Sequence, residues 1–180
     1  MTSKNHPGAA LQDLADTELE HWTRRYAESL AGARASGLSH VLVRVAGERF
    51  AIALDDLDEV ACVSTGIALP HVAAMILGLA NIRGELLPLL DTAALLGIGA
   101  TYRLGSDNRT LVIRDQRGRR AGLPVDSVES VEELDPEMFR ALSDPDPSPL
   151  IRRNGLTEHR GSALARLDLE PLRAGHFSHF

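Results

Sequence analysis

Cysteine is almost missing from this sequence: there is one, Cys62, in 180 residues. A lone thiol cannot close an internal disulfide, which excludes the disulfide-stapled secreted class. Cys62 lies in the apolar run VACV and is expected to be a small buried filler. Lysine is as scarce, with Lys4 alone, so nearly all positive charge is arginine. The net charge is −6, which disfavours nucleic acid and anionic lipid as main partners. Aromatic residues make up 4% of the chain, too few for a base-stacking platform. No apolar run approaches the roughly 20 residues of a membrane span, so no membrane insertion is expected. The first residues, MTSKNHPGAALQDLADTELE, lack the positive start and apolar stretch of a signal peptide, and a cytoplasmic location is expected.

Catalytic motifs are missing as well. There is no P-loop, no HExxH, no paired CxxC and no GxSxG elbow. Gly97-Ile98-Gly99 lacks the third glycine of a dinucleotide fingerprint. His176 and His179 read as part of a frayed terminus. The acidic residues Asp55, Asp56, Asp58 and Glu59 read as a solvated turn, and RDQRGRR, Arg114 to Arg120, as solvated hairpin strands and their turn. No catalytic residue, metal ligand or cofactor is assigned, and the breadth of the absence points to a binding module rather than an enzyme.

What is present is a repeat. VLVRVAGERFAIALDDLDEV, Val41 to Val60, aligns with TLVIRDQRGRRAGLPVDSVESV, Thr110 to Val131. From Gly47 or Gly118 to the last valine the match needs no gap. GLANIRGELLPLLDTAALLG, Gly78 to Gly97, aligns with GLTEHRGSALARLDLEPLRAG, Gly155 to Gly175. Gly78-Leu79 answers Gly155-Leu156, Arg83-Gly84 answers Arg160-Gly161, and Asp91 answers Asp168. Two collinear pairs argue for an internal duplication. Each module of about 60 to 70 residues would be marginal alone, so the two are expected to pack together and leave a shared groove.

Within a module, period-two alternation at Val41, Val43 and Val45 gives a strand that turns at Gly47. A short link over Asp55 to Glu59 precedes a third strand, Val60 to Val63, and Pro70 starts a helical turn through Met75. Ala80 to Ile82 and Glu85 to Leu90 are strands bent at Arg83-Gly84. Asp91 caps a short helix, Thr92 to Leu96, ended by Gly97. Five short strands favour a closed barrel, because closure removes edges. The fold class is therefore mainly β: two SH3-like five-stranded barrels side by side, the first over about 39–100 and the second over about 109–175. Residues 1–37 form a separate extension. Thr17-x-x-Glu20 is a capping box, and Leu19, Trp22, Tyr26 and Leu30 make one stripe of a helix over about 17–35. That stripe fits either packing on the barrels or docking on a partner.

The block Gly78 to Asp91, with its Asn81-Ile82-Arg83-Gly84 turn and its apolar-Pro-apolar-apolar-Asp strand, resembles the CheW family of chemotaxis coupling proteins. Leu57-Asp58-Glu59-Val60 and Ala121-Gly122-Leu123-Pro124-Val125-Asp126 resemble further family segments, and the likeness runs over about Ser39 to Gly175. The resemblance implies a non-catalytic scaffold without cofactor. It would couple the regulatory domain of a CheA-type histidine kinase to the cytoplasmic tip of a chemoreceptor, at membrane-associated arrays. The longer N-terminal extension is also similar to adaptors of type IV pilus systems, and a small-ligand-binding double barrel is the other alternative. The implied partner-binding residues are Glu59, Asn81, Arg83, Gly84, Val125 and Val128. Val125 and Val128 would wall a groove for a receptor helix, with Arg83 and Glu59 on its rim; Arg83 could equally brace Asp91 or the backbone. Two departures stand out. Pro124 calls for an edge or a bulge, and Arg166 should make the second barrel less regular.

Overall fold

Period-two alternation turns into ten strands. The computed structural model describes residues 39–63, 66–99, 109–142 and 150–174. The predicted helix over 17–35, the histidines His176 and His179 and the loop 143–149 lie outside them. The first five strands are β1 (Ser39–Val45), β2 (Glu48–Ala53), β3 (Leu57–Cys62), β4 (Ile76–Ile82) and β5 (Glu85–Leu90), followed by the helical turn α1 (Thr92–Leu95). The second five are β6 (Arg109–Arg114), β7 (Arg120–Val125), β8 (Ser127–Glu133), β9 (Arg152–His159) and β10 (Ser162–Asp168), followed by α2 (Glu170–Arg173). Asp91 caps α1 as expected, its carboxylate accepting from the Ala94 amide at 3.0 Å. The helical turn expected from Pro70 to Met75 is absent; those residues form turns leading into β4.

The duplication is present strand for strand, but the halves are not the barrels. Sheet one runs β8-β1-β2-β10-β9, and sheet two runs β3-β6-β7-β5-β4. Exchanging each strand for its counterpart five places along converts one order into the other. Each sheet thus joins the leading hairpin of one copy to the last three strands of the other, through the parallel pairs β2–β10 and β5–β7 and the antiparallel pairs β1–β8 and β3–β6. The contiguous barrels expected over 39–100 and 109–175 are corrected accordingly. The physical cause lies at the crossovers. After β2, Leu54 opens a 3-10 turn and Leu57 follows it, and both pack on one central core. Val125 and Val128, their counterparts, flank Asp126 and pack on the same core. The chain is thereby carried across the core instead of folding back beside its own hairpin.

Three apolar clusters follow from the alternation. Val41, Val43, Phe50 and Ile52 of sheet one meet Leu111, Ile113, Leu123 and Val125 of sheet two in the large central core. The alternate residues face inward within each sheet: Ala80, Leu87 and Val112 in sheet two, and Leu42, Ala51 and Leu164 in sheet one. Packed core therefore fills the region between the sheets where a shared groove was expected.

Full closure of the barrels is also corrected. Each sheet keeps two edge strands, and among the described residues one doubly bonded bridge draws them together. Ile67, after β3, exchanges hydrogen bonds of 2.7 and 2.9 Å with Leu79 of β4. Arg140, after β8, does the same with Leu156 of β9 at 2.9 Å each way. The repeated Gly-Leu pairs now have a reason. A Cβ at Gly78 would stand 2.2 Å from the Ile67 carbonyl oxygen, and one at Gly155 would stand 2.7 Å from Cβ of Phe139. The glycines let the closing segments approach.

The two departures resolve differently. Pro124 is on an inner strand rather than an edge. It lies opposite Thr110, two residues past Gly122↔Leu89, the one registered pair with β5. Arg166 does mark an irregularity: the register of β9–β10 shifts between Arg166 and Leu167, while its guanidinium sits 5.1 Å from the Phe139 ring centre and donates to Asn154.

Candidate functional site

Arg83 owes its position to a hairpin turn. Ile82 pairs with Glu85, which leaves Arg83-Gly84 as a two-residue loop. Both have positive φ, 54° and 89°, as a tight hairpin turn between right-twisted strands requires. The Asn81 side-chain oxygen accepts from the Gly84 amide at 2.8 Å and braces the turn. Asn81 and Gly84 therefore shape the tip, and Arg83 stands on it with its side chain 79% exposed.

The curl of sheet two brings the far edge to this tip. Glu59 of β3, only 17% exposed, accepts from Nε of Arg83 at 2.5 Å. Glu59 is shared, since Nη2 of Arg120 donates to its other oxygen. Arg120 also donates to Glu85 at 2.5 Å and to Asp58 at 3.0 Å. Asp58 in turn takes Arg114 at 2.6 Å. The result is one chain of three carboxylates and three guanidiniums across the starts of β3, β5 and β7, the end of β6 and the β4–β5 turn. The Arg120 bond, with Arg83 adding to it against the opposing effect of burial, holds the Glu59 carboxyl below the usual range. Burial pulls Arg120 down, but its bonds to Glu85 and Glu59 outweigh that and raise it.

Sheet one carries a related cluster. Arg160-Gly161 is a turn of the same geometry, with φ of 53° and 74°. Arg160 is 69% exposed and lies 3.2 Å from Glu132 of β8. Arg44 and Arg49 both reach Glu129, as Arg114 and Arg120 reach Asp58.

The expected site residues are thus partly gathered. Glu59, Asn81, Arg83 and Gly84 meet at one tip. Arg83 does brace a carboxylate, but that of Glu59 rather than Asp91, which caps α1. Val125 is fully buried, which corrects its reading as a groove wall, and Val128 is partly buried; both pack on the central core at a crossover. Among the described strands the exposed valines are Val60 and Val131, opposite the core residues Leu111 and Val41; Val72, before β4, is exposed too. Cys62, expected inside, is exposed on edge strand β3. The acidic residues read as a solvated turn are mostly paired: Asp56 with Arg173, and Asp58 and Glu59 as above. Arg114, Arg119 and Arg120 of the basic run are paired too, and Asp115 within it is buried and bonded to Arg119 at 2.7 Å. The missed residues Asp58, Arg114 and Arg120 carried a signal. Like charges recur at their repeat counterparts Glu129, Arg44 and Arg49.

The family model for the CheW-like domain matches residues 39–174. The chain belongs to the CheW-like domain family. Among curated relatives it is 26% identical over 100 residues to a probable chemotaxis protein CheW of Rhizobium etli, covering 56% of this chain and 63% of that one. It is 27% identical over 95 residues to the chemotaxis protein CheW of Rhizobium meliloti, covering 53% and 60%. The matched stretch thus spans under two thirds of each relative. A crystal structure of the scaffolding protein TtCheW from Thermoanaerobacter tengcongensis matches with a TM-score of 0.62 at 23% identity, over 78% of this chain and 94% of that one. That match concerns the fold. Among the described residues no helix is long and apolar enough to cross a membrane, and no three His, Cys, Asp or Glu side chains gather as a metal site.

Proposed function

We propose that this chain is a non-catalytic chemotaxis scaffold that couples the regulatory domain of a CheA-type histidine kinase to the cytoplasmic tip of a chemoreceptor. The observation that carries the reading is Arg83: an exposed guanidinium on a rigid two-residue turn, held at one nitrogen by Glu59. A long flexible side chain loses rotamer freedom when it binds, and pre-ordering lowers that cost. A receptor tip is an amphipathic helical bundle, so it calls for a charged contact beside apolar ones. Asn81 and Gly84 fix the tip, Arg83 and Glu59 supply the charge, and Leu86, opposite Asn81, and Val60, next to Glu59, are exposed apolar neighbours in place of the buried Val125. The kinase regulatory domain would occupy a separate surface.

The test is Arg83→Glu against a chemoreceptor signalling-tip fragment. The charge reversal should weaken binding by about 1–3 kcal/mol, the range of an interface hot spot. Its effect on stability should be small, because Arg83 is largely solvated. Unchanged affinity in the folded variant refutes the assignment. A pull-down with the cognate kinase regulatory domain tests the other half of the coupling.

A further inference from the structure

We propose that Arg120 is the positioning residue that keeps Arg83 open for a partner carboxylate; this rests on the reading of Arg83 given above. Arg83 bonds Glu59 through Nε, and among the described residues its two terminal nitrogens have no partner. A guanidinium held at Nε leaves its Nη1–Nη2 edge outward, and that edge matches the two oxygens of a carboxylate. The site therefore takes an aspartate or glutamate side chain of the partner.

The edge stays outward only if the surrounding acids do not claim it. Asp58, Glu59 and Glu85 are three carboxylates around one tip, and Arg120 touches all of them, one nitrogen to each. Arg114 takes a second share of Asp58. Arg120 is only 15% exposed, so its fork is fixed in place. Take Arg120 away, and three carboxylates face two guanidiniums. Glu59 is then released to swing and take Arg83 by both nitrogens, and Glu85 loses its bond to Arg120. The edge meant for the partner turns inward.

Sheet one shows that this bridge is not a mere by-product of the repeat. Arg49, the counterpart of Arg120, bonds Glu129 and the His159 carbonyl, while Arg160 rests on Glu132. The Arg160 tip is held without a shared arginine. Among the described residues, only on sheet two does one guanidinium tie the tip carboxylate to its neighbours.

The test is a double-mutant cycle read as affinity for a chemoreceptor signalling-tip fragment, with far-UV circular dichroism confirming the fold. Arg83→Ala and Arg120→Met should each weaken binding about tenfold. The double variant should be no more than about twofold worse than the weaker single, since Arg120 acts through Arg83. A multiplicative loss of about a hundredfold, or wild-type affinity in Arg120→Met, overturns the positioning role. If Arg120→Met does not fold, Arg120→Lys replaces it. Lysine keeps the charge but has no planar fork to span three acids, so an intermediate loss is expected and wild-type affinity overturns the role. Arg83→Ala with unchanged affinity instead sinks the coupling assignment itself, before Arg120 enters. The ligand class is read separately by changing each acidic residue of the tip fragment to its amide in turn. One such change should weaken binding to the wild type and not to Arg83→Ala. If none does, the carboxylate is refuted.

Discussion

Replacing Gly78 with alanine should open sheet two, and the cost can be worked out from the bridge it faces. The new methyl would stand 2.2 Å from the Ile67 carbonyl oxygen, which is backbone and cannot rotate away. That oxygen already accepts from the Leu79 amide at 2.9 Å, and the Ile67 amide donates back at 2.7 Å. Clearing the clash needs a retreat of about 1 Å, which carries the first bond out of hydrogen-bonding range and strains the second. Losing two net hydrogen bonds costs about 1–3 kcal/mol. Gly78 also has a φ of 145°, and an L side chain there adds about 1–2 kcal/mol. Together the loss is about 2–5 kcal/mol, a large share of the stability of an ordinary domain. It should lower the melting temperature by about 5–15 °C for a unit of this size. Gly47→Ala is the control: its φ is 83°, but no atom beyond its chain neighbours lies within 4 Å of the added Cβ, so only the backbone term remains. Urea unfolding gives both values, and hydrogen exchange of the Leu79 amide reports the bridge directly. Equal losses in the two variants, or an unchanged Leu79 protection factor in Gly78→Ala, would refute the idea that the bridge closes the sheet.

Two further outcomes follow from the charge clusters and the strand exchange. Glu59, Glu129 and Glu132 all have their carboxyls held low: by Arg120 and then Arg83; by Arg49 and Arg44 against burial; and by the Ser130 hydroxyl, with Arg160 and His159 adding. A depressed folded value means their stabilisation is complete above the ordinary glutamate value of about 4.3 and is lost as the pH falls through the folded values. Urea midpoints should therefore hold steady from neutral pH to about pH 5 and fall below it, with a shallower fall in Glu59→Gln; a flat profile down to pH 3 contradicts the pairing. Cutting the chain between residues 100 and 108 should yield two halves that are unfolded alone and fold when mixed, since every sheet draws on both; a folded isolated half, by amide dispersion in NMR, rules out the exchange.

How far the sequence led depends on the kind of signal. Local chemistry was legible. The Gly47 hairpin, the Asp91 cap and the bend at Arg83-Gly84 each follow from a few neighbouring residues. The duplication was legible too, because collinear blocks survive in the text of the chain. Strand exchange was not, since Leu54 and Leu57 look the same whether they lead back to their own hairpin or across a core. The misplacement of Val125 has the same origin: a valine ending a strand can wall a groove or anchor a crossover, and only the path of the chain decides. Cys62 was misread because an apolar run on an edge strand has one face in water. Charge pairing was hidden by distance. Asp58 and Arg120 are 62 positions apart, and each looked like part of a solvated run. Comparing the two copies would have exposed the pair, because Glu129 and Arg49 repeat its signs at the matching positions.

The exchange also bears on how the proposed scaffold would work. A coupling protein must keep its contact surfaces in fixed relation while two partners pull on them. Two barrels joined only by a linker would rotate, and each bound partner would add the entropy of stopping that rotation to the cost of assembly. Here the parallel joints β2–β10 and β5–β7 run inside the sheets, and Phe50, Ile52, Leu111 and Leu123 lock the sheets face to face in one core. The Arg83 tip and the Arg160 tip are therefore ends of one packed unit, Leu38–Phe180. Moving one relative to the other would mean breaking core contacts, which close packing resists. The same duplication gave the two tips different wiring. Arg120 ties the Arg83 tip into a six-residue network, while Glu132 takes Arg160 and His159, and Arg49 bonds Glu129 and the His159 carbonyl instead of Glu132. Equal backbones with unequal charge support are what a protein needs if its two sheets are to face two different partners.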